Sequence, residues 1–357
     1  MTFKKQHDKV ELGFLMDQFS LWRYVIGASS LVLLTFLVAS WLVGGALVAP
    51  NQRYIGSENL EFPVDEVMLD SESGASIATW YASSDDAKAT IILLHPVRAN
   101  RKAMLGRAKL FLDAGYAVIL IDFQAHGESL GRYITFGHLE RHDVRAAVAY
   151  ARKLNPGHRI GVVAISLGAA AALLASPLGV DALVLESVYS TIAEAVDNRV
   201  AMRVGPLSYA LTPLLLWQLK PRLGFSPSDL RPIDYIAKSQ APVLIANGEL
   251  DRHTPITQAR QLFDAANTPK RWVVFKGAAH NDLFEYNAKQ YKDEVLAFLD
   301  RYLKPGNRPN ATTDSLRFSS GYSVRKASSG FNRAALIAGI TPAAMPIASD
   351  NKKAAAK

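Results

Sequence analysis

The sequence predicts an α/β protein: a mostly parallel, doubly wound sheet of eight strands carrying a small helical lid, preceded by one transmembrane helix. Two observations carry the sheet. From the third expected strand onward, short β-branched and almost wholly apolar runs recur along the chain, as strands covered on both faces must be. Between them lie segments whose apolar residues fall at helical spacing. The third observation is a run of 24 residues near the N-terminus, 25–48, without a single charge.

At ~1.5 Å per residue that run exceeds a hydrocarbon core of ~30 Å, and it is too long for the ~7 to 15 apolar residues of a cleaved signal. Trp22, Tyr24 and Trp41 suit the two interfaces, and Pro50 stops the helix. Lys4, Lys5, Lys9 and Arg23 precede the span, whereas Arg53 is outnumbered by Glu58, Glu61, Asp65 and Glu66 after it. The positive-inside rule then makes 1–24 a cytoplasmic segment of a single-pass membrane protein, with the remainder on the periplasmic or outer side.

Residues 49–61 read as a linker and 62–304 as one α/β domain. Strands are expected at 66–69, 76–81, 90–94, 117–121, 159–163, 182–185, 243–246 and 271–275, the first two giving the sheet an antiparallel start. Helical faces are marked by Met104, Ala108 and Phe111, by Val144, Ala147 and Ala151, and by Tyr291, Val295 and Phe298. The rhythm breaks at 188–240, where an apolar helical piece, 207–219, is interrupted by Pro213. This segment is expected to be the lid over the sheet edge, with burial on the core as the plainer alternative for its apolar stripe. Residues 305–357, rich in Ser, Ala, Asn and basic residues without periodicity, are expected to form a disordered basic tail.

The net charge of +8 does not describe a binding face. Residues 305–357 hold eight Lys/Arg against two Asp/Glu, and residues 1–49 hold four against three, so the domain itself is nearly neutral. No nucleic-acid partner is expected for it. The absence of cysteine excludes disulfides and thiol nucleophiles. His138, His142, His158 and His253 have no partners at metal-ligand spacing, so neither a metal nor a cofactor is expected.

Ser166 lies where an apolar strand turns directly into a small-residue helix, in Ala164-Ile-Ser-Leu-Gly168. A hydroxyl on such a turn projects above the carboxyl edge of a parallel sheet, and the helix N-terminus behind it offers N–H groups to a developing oxyanion. An alcohol needs a general base, and the base needs a carboxylate to hold its tautomer. His280 and Asp251, each just past an apolar strand, fill those roles in the order Ser, Asp, His; Glu186 is the rival acid. The oxyanion donors are expected to be the N–H groups of Leu167 and Val97, because Pro96 has none to give.

These residues carry a resemblance. From about residue 62 to 304 the chain is similar to the alpha/beta-hydrolases, nearest to their short-lidded, serine-aminopeptidase-like branch. The matching stretches are Leu94-His95, Asp122-Phe-Gln-Ala-His-Gly-Glu-Ser129, Ala164-Ile-Ser-Leu-Gly168, Gly248-Glu-Leu-Asp-Arg-His-Thr-Pro255 and Gly277-Ala-Ala-His280. Ala164 stands where glycine is usual. The resemblance implies hydrolysis of an ester, thioester or amide through an acyl-enzyme. The expectation is a membrane-anchored serine hydrolase acting on a small-molecule or lipid-like ester. A peptidase of the same fold is one alternative. A non-catalytic, membrane-tethered interaction protein is another, motivated by Pro96, Ala164 and the basic tail.

Overall fold

Strands sealed on both faces need no polar alternation, and β-branched apolar runs supply them along the chain. The computed structural model describes residues 2–304 except 85 and 88, with 2–21 described by backbone alone; the tail expected at 305–357 lies outside the described residues. In chain order the strands are β1 (Asn51–Gln52), β2 (Asp65–Asp70), β3 (Ser76–Ala82), β4 (Ala89–Leu94) and β5 (Ala117–Ile121), then β6 (His126–Gly127), β7 (Arg159–Ile165), β8 (Ala182–Glu186), β9 (Val243–Gly248) and β10 (Lys270–Phe275). Eight of them form one sheet in the order β10-β9-β8-β7-β4-β5-β3-β2. Only the pairings of β2 with β3 and of β3 with β5 are antiparallel. The eight expected strands are thus all present, several running one or two residues further at their carboxyl ends.

The helices are α1 (Thr2–Val48), α2 (Leu105–Asp113), α3 (Glu140–Leu154) and α4 (Leu167–Leu174), followed by α5 (Ile192–Val204), α6 (Ser208–Trp217), α7 (Leu219–Leu223) and α8 (Ile233–Ile236). Beyond β9 come α9 (Ile256–Ala265), α10 (Leu283–Tyr286), α11 (Ala288–Tyr291) and α12 (Ala297–Leu303). Alternation along each strand divides the core between the two faces of the sheet. Ile92, Leu94, Ile119 and Ile121 pack with α3 and α4, while Ile91, Leu93, Val118 and Leu120 pack with α2 and α12.

The first helix runs through both the expected N-terminal segment and the 25–48 run, with no proline to stop it before Pro50. Within it, Trp22–Val48 is long and apolar enough to cross a membrane. Leu31, Val32, Leu33 and Leu34 are each more than half exposed, unlike the side chains of a core helix.

The carboxyl end of α1 is docked. Gln218 donates from Nε2 to the Ser40 carbonyl (3.1 Å) and hydroxyl (3.0 Å), and Arg222 donates to the Trp41 carbonyl while its guanidinium covers the Trp41 ring at 3.7 Å. The Arg98 guanidinium caps the last turn by donating to the carbonyls of Ala46 and Leu47. The 49–61 segment is pinned to the domain rather than hanging loose. Its β1 pairs in parallel with β6, and the Glu128 carboxylate accepts from the N–H groups of Ile55 (2.8 Å) and Gly56 (3.1 Å).

One sequence expectation for the lid region needs correcting. Pro213 does not break the apolar piece; α6 runs straight through it. Tyr209, whose carbonyl the missing N–H would have met, is 81% exposed, so solvent can satisfy it. The stripe is divided between surface and core: Leu207 and Trp217 stay largely exposed, Leu216 and Leu219 join the core, and α6 packs against α1 and α5.

Candidate active site

The turn from β7 into α4 is set by packing. Every residue of α4 is buried, and its small side chains let the helix press against the sheet. A Cβ on Gly168 would stand 2.6 Å from the Leu94 carbonyl oxygen, so only glycine allows this approach. Ser166 therefore takes φ 50° and ψ −106°, a conformation costing a non-glycine residue ~1 to 3 kcal/mol. Its N–H is held by the Glu186 carbonyl at 2.9 Å. The hydroxyl makes no hydrogen bond among the described residues and borders a cavity.

Leu167 is the first residue of α4, so its N–H has no partner within the helix. Val97 lies in the loop after β4, and its N–H enters no backbone hydrogen bond among the described residues. Val97 and Leu167 border the same cavity as Ser166. The loop is fixed from below by His95, which is fully buried: Nε2 accepts from the Phe123 N–H (3.1 Å) and Nδ1 meets the Pro96 carbonyl (2.8 Å). Burial, reinforced by the neighbouring His126, pushes its imidazole down to about 3, so it stays neutral.

Asp251 and His280 meet across the loops after β9 and β10. Gly248 has no room for a side chain against the Ala278 and Ala279 carbonyls, which keeps the two loops together. His280 Nδ1 lies 2.7 Å from Asp251 Oδ2. The same carboxylate accepts from the N–H groups of His253 (2.8 Å) and Thr254 (2.9 Å) and from the Thr254 hydroxyl (2.8 Å). Burial alone would raise this carboxyl; the His280 hydrogen bond and charge, with the Thr254 bonds, outweigh it and hold the group below the ordinary carboxylate range. Asp251 and His280 are thus joined, whereas no hydrogen bond links His280 to the Ser166 hydroxyl.

Glu186, the rival acid, is engaged elsewhere. It pairs with buried Arg107 at 2.7 Å and accepts from the Tyr291 hydroxyl at 2.6 Å. Arg107 also reaches Asp282 at 2.6 Å, two residues beyond His280, and so ties the histidine's loop to the end of β8. Likewise Arg101, not singled out from the sequence, is 1% exposed and bridges Asp122 and Glu128 beneath the β4 loop.

The reading of His253 as a residue without ligand-spaced partners is overturned in space. Its ring centroid lies 4.7 Å from that of His280, and Asp251, His253 and His280 each offer a ligand atom within 4.8 Å of the others. The cluster arises from two loops 27 residues apart, and Asp251-x-His253 was its one local sign. A metal there would have to displace the hydrogen bonds that already fill the Asp251 carboxylate, so the donor set suits an orienting role better. Burial, with the charges of His280 and Arg199, lowers the His253 imidazole. Arg199, also missed, borders the cavity from α5, its Nη1 donating to the Ala195 carbonyl at 2.8 Å.

No family model matches the chain. Protein Rv2307c of Mycobacterium tuberculosis is 30% identical over 240 residues, covering 66% of this chain and 78% of its own. YqkD of Bacillus subtilis is 27% identical over 238 residues, covering 65% and 78%. Among solved structures, the Pyrococcus furiosus esterase Pf2001 superimposes with a TM-score of 0.59 at 22% identity, over 72% of this chain and 98% of that one.

Proposed function

Because this chain belongs to the alpha/beta-hydrolases, we propose that it is a membrane-anchored serine hydrolase that cleaves an ester or acyl bond through Ser166, His280 and Asp251. The Asp251–His280 hydrogen bond of 2.7 Å, beside an elbow that strains Ser166, carries the reading. Ser166 Oγ attacks the carbonyl carbon as His280 takes its proton, and the oxyanion turns toward the Leu167 and Val97 N–H groups. The carbonyl re-forms as the alcohol leaves with that proton. Water, deprotonated by His280, then attacks the acyl-serine and releases the acid. The open Ser166–His280 contact is compatible with this sequence, since such bonds often tighten only with substrate bound.

In this reading α1 crosses the membrane once, with the N-terminus cytoplasmic and the domain on the opposite side, as the charges flanking the span favour. Full-length protein should be labelled by a fluorophosphonate probe, and Ser166→Ala should lose the label. Labelling that persists in Ser166→Ala removes the serine assignment. A panel of p-nitrophenyl esters against aminoacyl anilides separates esterase from peptidase.

A further inference from the structure

Resting on the serine-hydrolase reading, we infer that α1 is a wall of the acyl-binding site as well as an anchor, and that the substrate is a long-chain acyl ester drawn from the bilayer that holds it. The cavity beside Ser166 measures about 540 Å³, within the size range of ligand sites. One side is a single stripe of α1, formed by Phe36, Ala39, Ser40, Val43 and Leu47 at helical spacing. Leu211 and Leu215, one turn apart on α6, face it.

Depth along the helix gives the stripe its meaning. Counting ~20 residues across the ~30 Å hydrocarbon layer from Trp22 brings its far edge close to Trp41. Phe36 and Ala39 then sit at the level of acyl chains, and Leu47 at the level of headgroups on the domain's side. The cavity so joins the lipid interior to the candidate nucleophile. It is not sealed on that side, because Val43 and Leu47 remain 51% and 42% exposed. The docking of Ser40 and Trp41 onto Gln218 and Arg222 holds this wall in register with the domain.

The lining also selects chemistry. An acyl chain needs no hydrogen-bond partner along the apolar stripe between α1 and α6, whereas a peptide there would leave backbone groups unsatisfied; Arg199 and Arg203 line the α5 side of the cavity. Each methylene moved out of water is worth about fourfold in binding.

The test compares kcat/KM for p-nitrophenyl palmitate and p-nitrophenyl acetate, using full-length protein in lipid nanodiscs. Ala39→Trp and Val43→Trp, which fill the cavity, should lower the palmitate-to-acetate ratio at least about tenfold. Val38→Trp, on the opposite face of α1, should keep the wild-type ratio. Fluorophosphonate labelling of each variant reports an intact nucleophile, and Ala39→Leu replaces a tryptophan variant that loses it. An unchanged ratio in labelled cavity variants, or an equal fall in Val38→Trp, overturns the inference and leaves the hydrolase reading standing. Wild-type protein that neither labels nor hydrolyses either ester removes the reading and the inference together.

Discussion

The two sides of the candidate site are built by different means. Around Asp251 and His280, directional contacts dominate: four hydrogen bonds fill one carboxylate, and Arg107 clamps the neighbouring loop through Glu186 and Asp282. Around Ser166 and α1 the walls are mostly apolar, with Arg199 and Arg203 contributed by α5, and the serine hydroxyl has no hydrogen-bond partner among the described residues. The proposed reaction accounts for the contrast. An acid–base pair works only in one tautomer and orientation, so its geometry is over-determined. A site for an aliphatic chain needs shape and dryness, which side-chain packing supplies without polar bonds.

The comparison is broken most severely from the polar side. Asp251→Asn keeps the shape but cannot stabilise an imidazolium, and should lower kcat by about ten-thousandfold in steady-state ester hydrolysis. Next comes the oxyanion loop. Val97→Pro deletes an N–H that no backbone acceptor among the described residues uses, and should cost about a hundred- to a thousandfold in kcat with little change in Tm. An unaltered rate would remove Val97 from the reaction. Thr254→Val takes one hydrogen bond from Asp251 while leaving the His280 contact, and should cost roughly fivefold in kcat, about 1 kcal/mol.

The smallest effect sharpens the contrast by acting on stability alone. Burial raises the Asp143 carboxyl to about 7, despite hydrogen bonds from the Gln124 N–H and the Ser71 hydroxyl. The folded state keeps a proton that the unfolded chain releases above its ordinary value of 3.8, so the contribution of Asp143 is fully present in acid and is lost as pH rises toward 7, while buried His95, lowered to about 3, contributes in the opposite sense. Melting curves between pH 4 and 8 should show the margin of wild type over Asp143→Asn narrowing as pH rises.

How much of this was legible depends on how local each signal is. β4 and β5 are apolar at every position but Thr90 and buried throughout, a pattern no exposed segment tolerates, so the sheet could be read directly. Ser166, Asp251 and His280 could be singled out because each follows an apolar strand, and the structure joins the last two by a hydrogen bond. By contrast, β1 and β6 are two residues long, too short for any periodicity, and depend on neighbours 75 residues away. Arg101 and Arg107 look like surface residues until their buried carboxylates are seen. The side of α1 that turns toward α6 could not be read from a run apolar all round, because such a run has no distinguished face.

The docking of Arg98 on the last turn of α1 has a practical consequence. A recombinant fragment starting near residue 51 would not be this molecule minus its leash. It would strip the Arg98 guanidinium of its two acceptor carbonyls next to Val97, uncover Leu211 and Leu215, and leave the pocket with one wall missing. Selectivities measured on that truncation would describe a different container from the one the intact chain builds.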